Sequence, residues 1–411
     1  MTVAIHTLGC KVNQYDSEAL LTKLVSAGYE VVRFNQTADI YIINSCTVTH
    51  TSDKKSMQML RRARRLNTTA FIAVCGCMPQ SNTDIYMKIT EAGADFIFDA
   101  RKPDDLLTKL EITDLHKAPT VITDRRNRAF IKIQDGCERY CAYCIVPYVR
   151  GPVTSRPADV ILDEVKTHVP RDTGEIVLTG IQVAAYGYDT GSEYINLPKL
   201  IREIDRSNPG IRLRLSSIDP WAIDTAFLET VADSPTLCSH FHLSLQSGSD
   251  NILHSMNRQY TTAEYAKVAK NLRILRPEMA LTTDIIVGFP GETDEDFNKS
   301  LQFAKEMAFA QIHVFEYSPR AGTKAASLPS PVPEKIKTAR GQEMRALAAS
   351  LKQSFLQKQV GMTVSVLMET PSQGHTKNYC MVHVKGIHQQ NTIKNVLITD
   401  ATDNELVGEL T

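Results

Sequence analysis

Apolar runs of strand length alternate with amphipathic helical segments along the first hundred residues. This alternation predicts βαβ units, because parallel strands need a crossover connection that is usually helical. Strands are predicted at residues 3–7, 39–44, 70–74 and 94–98, and helices at 16–27 and 52–65. The first helix stops at Gly28, a residue that commonly ends helices. We therefore predict an α/β protein whose residues 1–115 form a doubly wound, Rossmann-like domain.

The same alternation resumes after a charged, proline-containing segment at residues 101–128, which we interpret as a linker. Six further strand patterns begin at residues 129, 175, 212, 241, 281 and 310. With helical segments between them, they predict a partial (β/α)6 barrel of the TIM type over residues 123–355. A long helix at 335–359 and several short strands follow, so residues 356–411 are predicted to form a small β-barrel or sandwich.

Composition limits the function classes. No run reaches the roughly 18 consecutive apolar residues of a membrane span, and the N-terminus lacks a secretion signal, so we expect a cytoplasmic protein without a membrane partner. We expect it to be a monomer. Nine cysteines then indicate metal binding or reactive thiols rather than disulfides. The formal net charge of +0 excludes a global electrostatic attraction for a polyanion.

Three of these cysteines, Cys137, Cys141 and Cys144, form a CxxxCxxC pattern just after a predicted barrel strand. Barrel enzymes keep their chemistry at this end of the strands. Three thiolates on a [4Fe–4S] cluster leave one iron open, which S-adenosylmethionine (SAM) can chelate through its amino and carboxylate groups. The alternative is a structural cluster, or a zinc site whose fourth ligand comes from elsewhere in the chain.

Residues after two later strands are candidate cofactor contacts. Gly288, Pro290 and Gly291 would allow the backbone to approach a ligand closely, although an ordinary strand-to-helix turn explains the same residues. Gln246 and Ser247 end another strand and are candidate ribose contacts.

A second cysteine set lies in the first domain. Cys10, Cys46 and Cys77 each follow a predicted strand, and loops at the carboxyl ends of parallel strands form one crevice. We predict a second three-cysteine cluster site there. We interpret Cys75 as a core thiol that points away from Cys77, unless all four thiols bind zinc. We interpret the two isolated cysteines as structural; they are Cys238 and Cys380.

The motifs around both cysteine sets resemble those of radical SAM methylthiotransferases across nearly the full chain. The segment DGCERYCAYCIVPYVRG carries the radical SAM pattern, including an aromatic residue, Tyr143, before the third cysteine. LGCKVNQYDSE is similar to the branch acting on threonylcarbamoyladenosine, whereas the isopentenyladenosine branch tends to have YGCQMN and the ribosomal-protein branch GCPKN. Further resemblance lies in MNRQY, VGFPGET and EYSPRAGT, and the last domain resembles the RNA-binding TRAM module.

The resemblance implies an enzyme with two [4Fe–4S] clusters and SAM. The barrel cluster would generate a radical from SAM, and the second cluster would deliver sulfur, so that a methylthio group is added at C2 of the modified adenosine at position 37 of tRNA. Both clusters must then face one cavity. The implied partners are a tRNA anticodon stem-loop, an external electron donor and a sulfur donor. The resemblance also implies a Tyr143 backbone contact to adenine and SAM contacts at Thr179, Gly180 and Gln182, where the superfamily often has Gly-Gly-Glu.

Local charge is consistent with an RNA partner. Basic residues cluster on one predicted helix and before the barrel: Lys54, Lys55, Arg61, Arg62, Arg64, Arg65, Arg125, Arg126 and Arg128. A solvated helix face would explain the first group equally well. Tyr379 beside Lys377 is a candidate for stacking on RNA bases.

Three alternatives remain at this stage. The same chemistry could act on isopentenyladenosine in tRNA or on a ribosomal protein, and analysis of tRNA nucleosides and ribosomal peptides separates these substrates. A non-enzymatic iron–sulfur RNA-binding redox regulator is the third. It would form no 5′-deoxyadenosine from SAM under reduction.

Overall fold

The computed structural model describes residues 1–112, 127–168, 174–191, 195–207 and 210–411. Its first region is a parallel sheet covered by helices on both faces. The strands are β1 (Thr2–Thr7), β2 (Glu30–Val31), β3 (Ile40–Ser45), β4 (Phe71–Gly76) and β5 (Phe96–Ile97), in the order β2-β1-β3-β4-β5. The helices are α1 (Lys11–Ser26), α2 (His50–Leu66), α3 (Thr83–Glu91) and α4 (Pro103–Lys109). The predicted doubly wound topology is confirmed.

The sheet separates two hydrophobic cores. Leu24 of α1 and Leu106 of α4 pack on one face, and Leu60 of α2 packs on the other. The linker prediction was wrong at α4, because its two buried leucines belong to the core of the first region. The predicted domain boundaries at 115 and 123, together with Arg125 and Arg126, lie outside the described residues.

The second region contains the six predicted barrel strands. They are β6 (Arg128–Asp135), β8 (Glu175–Gly180), β9 (Arg212–Leu215), β10 (His240–His242), β11 (Ala280–Val287) and β12 (Gln311–Glu316). A short strand that the pattern did not predict, β7 (Thr154–Ser155), pairs antiparallel with β6. The helices are α5 (Val146–Arg150), α6 (Ala158–His168), α7 (Leu197–Ser207), α8 (Thr225–Asp233), α9 (Asp250–Ser255), α10 (Thr262–Leu275), α11 (Asp294–Met307) and α12 (Glu334–Gln357).

These strands form two sheets, β7-β6-β8-β9 and β10-β11-β12, which isolated bridges join between β9 and the segment around β10. Successive residues of a strand face opposite sides. Ile133, Leu178 and Ile285 belong to the core under the helices, whereas Asp284 and Ile286 line a cavity on the other side. The strands therefore enclose an interior with many polar groups.

The third region is a closed five-stranded barrel. Its strands are β13 (Thr363–Met368), β14 (Gln373–Thr376), β15 (Met381–Val384), β16 (Ile393–Ala401) and β17 (Leu406–Leu410), and four of them were predicted, with β14 missed. Short strands and turn residues in this region are typical of such small barrels. The predicted fold class is confirmed.

This small barrel docks on the amino-terminal side of β8 and β9. Glu175 pairs with Arg214 at 2.7 Å and with Arg128 at 2.8 Å. Both guanidinium groups lie over the ring of Tyr379, at 4.6 and 4.9 Å from its centroid. Tyr379 also stacks on His375. The ring of Tyr379, our candidate for stacking on RNA bases, therefore has partners within the protein but is still 38% exposed, and base stacking by it stays a prediction.

Candidate iron–sulfur sites and the chamber between them

The barrel cysteines lie in the loop that follows β6. Gly136 begins this loop with a φ of +73°, and a Cβ there would lie 1.8 Å from the carbonyl oxygen of Pro152, so no larger residue fits without moving the backbone. The Cys137 amide then donates to Gly151, and the Cys144 amide donates to the carbonyl of Cys141 at 2.9 Å. This backbone pattern folds the three-cysteine segment tightly.

An arginine supports the middle cysteine. Arg258 donates through Nη1 to Cys141 Sγ at 3.3 Å, donates through Nε to Tyr260 Oη and pairs with Asp219. Gln182 also donates to Asp219, at 2.5 Å. The amide of Gln182, expected to contact SAM, is thus part of a hydrogen-bond network beneath the cysteine loop.

A cavity of about 220 Å³ lies between the first region and the barrel. Tyr143, Cys144 and Gln246 line it from the barrel, and Val48 and Thr49 line it from the loop that follows β3. Gln246 has a φ of +74°, a backbone conformation that residues other than glycine seldom adopt. Such conformations are retained where surrounding structure holds them and are concentrated at functional sites.

The other predicted cofactor contacts do not line this cavity: Thr179, Gly180, Gln182, Ser247, Gly288, Pro290 and Gly291. Ser247 is buried with its hydroxyl 3.3 Å from that of Ser300 on α11. A Cβ on Gly288 would lie 2.1 Å from Cγ of Lys337, so this glycine allows α12 to pack closely. These two contacts give local packing reasons for residues that we had considered for SAM.

The second cysteine set gathers at the carboxyl ends of three adjacent strands. Cys10, Cys46 and Cys77 follow β1, β3 and β4, which are neighbours in the sheet, so the three loops that carry them lie side by side. Gly9 has a φ of +109°, and a Cβ on it would lie 2.9 Å from Cβ of Cys46. The glycine before Cys10 therefore gives Cys46 room to lie beside it.

Asn13, in the first turn of α1, connects this loop cluster. Its Nδ2 donates to the carbonyls of Leu8 at 2.7 Å and Ser45 at 3.0 Å, which fixes the β1 loop against the β3 loop. Its Oδ1 is 3.7 Å from Cys10 Sγ and accepts a 2.5 Å hydrogen bond from Arg150 Nη2. One side chain thus joins two loops of the first region to α5 of the barrel.

Arg150 is almost completely buried at this junction. Its Nε donates to Cys77 Sγ at 3.3 Å, and its Nη1 lies 3.1 Å from Asp16 and 3.0 Å from Asp135. Lys132 pairs with both carboxylates as well. Two cations and two anions balance each other, which a buried ionic network requires.

Cys77 also packs against Ile145 and Val149 in a small buried cluster. Ile145 directly follows Cys144, the last cysteine of the barrel set. The segment that directly follows Cys144 of the barrel set therefore packs against Cys77 of the second set.

The remaining three cysteines are buried; Cys75 and Cys380 belong to hydrophobic clusters, whereas Cys238 Sγ lies 3.7 Å from Glu175 Oε2. Cys75 is 2% exposed and packs with residues of α1, and Cys238 and Cys380 are buried. Sulfurs around a tetrahedral zinc would lie about 3.8 Å apart, given Zn–S bonds of about 2.3 Å. Among the described residues no three cysteine sulfurs lie within 4.8 Å of one another, so the thiols do not form a closed zinc site.

Without a bound metal, burial controls the protonation of several of these thiols. Burial raises the pKa of Cys144 to about 12, and it raises the pKa of Cys77 to about 11 against the opposing effect of Arg150. Burial also raises the pKa of Cys10 and of Cys137. These thiols must lose their protons when they bind a metal centre, because the thiolate is the ligand.

The barrel interior carries further polar groups near the cavity. His242, Asp284 and His313 stand on three neighbouring strands, and their donor atoms lie within 4.8 Å of one another. His242 Nδ1 is 3.1 Å from Thr282 Oγ1, which leaves Nε2 facing Asp284 at 3.3 Å.

Comparison with known proteins connects these sites to a family. The model of uncharacterized protein family UPF0004 matches residues 2–99, and that of the radical SAM superfamily matches residues 131–304. The threonylcarbamoyladenosine tRNA methylthiotransferase MtaB of Bacillus subtilis is 37% identical, covering 94% of this chain and 90% of that protein. The chain belongs to the radical SAM tRNA methylthiotransferase family.

Two other comparisons define the extent of the likeness. The tRNA-2-methylthio-N(6)-dimethylallyladenosine synthase of Chlorobium phaeovibrioides is 33% identical, covering 98% of this chain and 95% of that protein. The radical SAM methyltransferase TsrM of Kitasatospora setae has a similar fold, with a TM-score of 0.59, 14% identity and coverage of 79% and 77% of the two chains. Among the described residues, no helix is both long and apolar enough to cross a membrane.

The methylthiotransferases of this family use two [4Fe–4S] clusters and SAM. The side chains fit these groups, since each site offers three cysteines and leaves one cluster iron without a protein ligand. At each site one arginine donates to a cysteine sulfur. Such hydrogen bonds to cluster sulfurs help to set the reduction potential.

Sequence reasoning missed the residues that support the cysteines. Asn13, Arg150 and Arg258 contact cysteine sulfurs, and Arg320 donates to Thr47 Oγ1 beside Cys46 at 2.6 Å. Each of the four stands inside a motif quoted above for the family resemblance, in LGCKVNQ, IVPYVRG, MNRQY or EYSPRAGT. Their position within those motifs was the available indication.

Proposed function

We propose that this protein adds a methylthio group to C2 of N6-threonylcarbamoyladenosine at position 37 of tRNA. The observation that carries the proposal is the cavity between the two cysteine sets. Cys144 lines it from one side and the loop after Cys46 lines it from the other. A reaction that combines hydrogen abstraction with sulfur delivery needs both centres beside the same substrate atom. The relative from Bacillus subtilis is named for this substrate.

In this proposal Cys137, Cys141 and Cys144 hold the barrel cluster, and Cys10, Cys46 and Cys77 hold the second one. The barrel cluster with SAM supplies one-electron chemistry that can break an unactivated aromatic C–H bond. Tyr143 and Gln246 would contact SAM, because they border the cavity next to Cys144. The proposed domains are residues 1–115 for the second cluster, 123–355 for the radical SAM barrel and 356–411 for RNA binding.

Arg150 and Asn13 have a positioning role in this scheme. They join the loops of the first region to the segment after Cys144 through buried hydrogen bonds. Because the interior of the junction is closely packed, the separation of the two clusters is fixed by the protein rather than by the substrate. The substrate base must leave its stack to enter the chamber, which an anticodon loop permits more readily than a duplex.

The exposed basic face of α2 is the proposed contact to the anticodon stem-loop. Its cations are Lys54, Lys55, Arg61, Arg62 and Arg65, all exposed to solvent. Arg64 is not part of it, because its guanidinium is engaged with Asp95 and backbone carbonyls. Arg128 pairs with Glu175 and is likewise excluded. We also propose a cytoplasmic monomer that receives electrons and sulfur from external donors.

Mass spectrometry of tRNA nucleosides tests the proposal. A strain that lacks the gene should lose 2-methylthio-N6-threonylcarbamoyladenosine and accumulate the form without the methylthio group. The wild-type gene should restore the modification, and a Cys10→Ala, Cys46→Ala, Cys77→Ala variant should not. Unchanged methylthio content in the deletion strain contradicts the proposal.

A second candidate substrate is N6-dimethylallyladenosine, the isopentenyl compound considered above. The relative from Chlorobium phaeovibrioides, named for that product, matches 98% of this chain. The same nucleoside analysis separates the candidates, because each methylthio product has its own mass. Loss of only the dimethylallyl product would replace the first proposal with this one.

A further inference from the structure

Three side chains on the interior face of the barrel have no role in the function proposed above. His242 ends β10, Asp284 lies on β11, and His313 lies on β12. Asp284 and His313 are register partners on paired strands. The pair two residues further along these strands is Ile286 and Phe315, and both of them line the cavity together with Asp284. Because residues two apart on a strand face the same side, His313 also faces this cavity.

The imidazole of His242 is held with one nitrogen beside Asp284. Its Nδ1 is 3.1 Å from Oγ1 of Thr282, the residue that lies level with it on β11. Its Nε2 is 3.3 Å from Oδ2 of Asp284. The His313 ring has its centroid 5.8 Å from that of His242, and one donor atom from each of the three residues lies within 4.8 Å of the other two. Two ring nitrogens and one carboxylate oxygen are thus close enough to share a ligand.

The contact between His242 and Asp284 is not a hydrogen-bonded ion pair. His242 Nε2 is buried, and among the described residues no partner meets it with hydrogen-bond geometry, although Asp284 Oδ2 is only 3.3 Å away. A buried polar atom without a hydrogen bond is uncommon, because it has lost its contact with water and gained nothing in return. Two such atoms side by side are expected where both bind a common third atom.

The distances fit a metal ion as that third atom. Two ligands bound at about 2.0–2.2 Å, with an angle of about 90–110° between them, lie about 2.8–3.6 Å apart. The separation of 3.3 Å between His242 Nε2 and Asp284 Oδ2 is within this range. His313 is the most exposed of the three residues, so its ring has room to rotate to the same spacing. Thr282 contacts the other ring nitrogen of His242, as a polar group generally does for metal-binding histidines.

The donor atoms indicate the class of ion. Two histidines and one carboxylate on one side of an ion are the ligand set of many mononuclear Fe²⁺ sites, and they leave other coordination positions open. Imidazole suits first-row transition metals, whereas Mg²⁺ and Ca²⁺ prefer oxygen ligands. The nitrogen and oxygen donors also distinguish this site from the two cysteine sets, because thiolates select softer centres such as iron–sulfur clusters.

We propose that His242, Asp284 and His313 bind one divalent first-row transition-metal ion in addition to the two iron–sulfur clusters. The ion lies on the cavity wall, because Asp284 lines the cavity together with Cys144. Its open positions accept oxygen atoms, either from water or from a polar group of a ligand in the cavity. Such an ion can orient a ligand beside the barrel cluster. The inference does not depend on which adenosine is the substrate.

Metal analysis of the reconstituted holoenzyme tests the inference. The protein is dialysed anaerobically against Mn²⁺ or Zn²⁺ over a range of concentrations, and elemental mass spectrometry gives the added metal and the iron of each sample. Wild type should retain about one added ion per chain at unchanged iron content. His313→Gln and Asp284→Asn each remove a ligand and should weaken binding about hundredfold or more. Thr282→Val removes only the hydrogen bond to His242 and should weaken it about tenfold.

A matched control and a spectroscopic readout make the outcome decisive. His254→Gln removes an exposed histidine at the end of α9 and should retain the wild-type amount of added metal. Mn²⁺ in wild type should show nitrogen couplings in pulsed electron paramagnetic resonance, and His313→Gln should weaken them. If one ligand variant loses iron, the variant that keeps the wild-type iron content decides. No retained ion in wild type, or equal retention in wild type and the ligand variants, overturns the inference.

Discussion

The two cysteine sets offer the same ligands but are assembled in different ways. Cys137, Cys141 and Cys144 lie in one short loop, whose shape depends on local hydrogen bonds after β6. Cys10 and Cys77 lie at opposite ends of a segment that contains three of the five strands, and only the order of those strands brings them together. The barrel site is therefore a local structure, and the other site is a product of topology.

Their supporting arginines differ in the same sense. Arg258, which donates to Cys141, belongs to the same barrel as the cysteine. Arg150, which donates to Cys77, crosses from the barrel to the first region. The geometry of the second site consequently depends on the junction between two regions, and the junction should affect one cluster much more than the other.

Removing each cysteine set should have the largest and most different effects. Each triple alanine variant is expected to lose about four of about eight iron atoms, because one cubane is lost. Without Cys137, Cys141 and Cys144, neither 5′-deoxyadenosine nor methylthiolated tRNA should form. Without the second set, SAM cleavage should persist while the methylthio product disappears.

Iron analysis and chromatography of 5′-deoxyadenosine on anaerobically reconstituted protein measure these outcomes. Each variant is the control for the other. If the Cys10→Ala, Cys46→Ala, Cys77→Ala protein bound as much iron as wild type, the second site would not be a cluster site.

Replacing Arg150 should lower the iron content of one site and not of the other, with a smaller effect than the removal of a cysteine set. Arg150→Met leaves Asp16 and Asp135 with only Lys132 as a cationic partner, and breaking a buried ionic network in this way costs about 3–5 kcal/mol. The second site should lose iron while the barrel site keeps it. Chemical denaturation and iron content per chain measure the two effects. Equal iron loss at both sites would argue against a special role of the junction.

The sequence was informative where the residues of a site are close together in the chain or follow the ends of predicted strands. The strand and helix alternation predicted both α/β regions, and the CxxxCxxC spacing identified the barrel cysteines because that arrangement is local. The gathering of Cys10, Cys46 and Cys77 followed from one rule, that parallel strands end on the same edge. Supporting contacts such as Arg150 to Cys77 join residues far apart in the chain, and no spacing rule connects them.

The same limit applies to the protein contacts of two residues that were predicted to bind ligands. Tyr379 was predicted as a candidate for stacking on RNA bases, and the docking of the small barrel brings its ring against Arg128 and Arg214. Gln182 stands where a SAM contact is predicted, and its side-chain amide donates to Asp219. In both cases the partner comes from a distant segment, so only the tertiary structure could identify it.

A substitution at the other end of the barrel should test whether any buried ionic junction affects the clusters. Glu175→Gln weakens the contacts to Arg214 and Arg128 and should cost about 1.5–3 kcal/mol, as for hydrogen bonds to charged groups. The iron content of both sites should remain at the wild-type value. This outcome would leave the Arg150 junction as the one that matters for the second cluster.

The effect of Glu175 should depend on pH in a defined direction. Burial alone would raise its pKa, but the arginines lower the pKa from an ordinary value of 4.5 to about 2. A carboxyl with a lowered pKa in the folded state stabilises that state above pH 4.5, and the stabilisation disappears as the pH falls towards 2. The stability difference between wild type and Glu175→Gln should therefore shrink over that interval in denaturation experiments. A constant difference would exclude this ionic contribution.

The smallest expected effect concerns the barrel cluster and its own arginine. Arg258→Gln removes a cationic donor from Cys141 Sγ, and less positive charge near a cluster favours its oxidised form. The reduction potential should fall by about 60 mV or less. A shift of this size corresponds to a tenfold change in the equilibrium constant of a one-electron reduction. Redox titration followed by electron paramagnetic resonance in the variant lacking the second cysteine set isolates this cluster.

Arg258→Lys, which keeps the charge, should restore part of the shift. An unchanged potential in both variants would mean that Arg258 only supports the loop, and the two sites would then differ in electrostatics as well as in assembly.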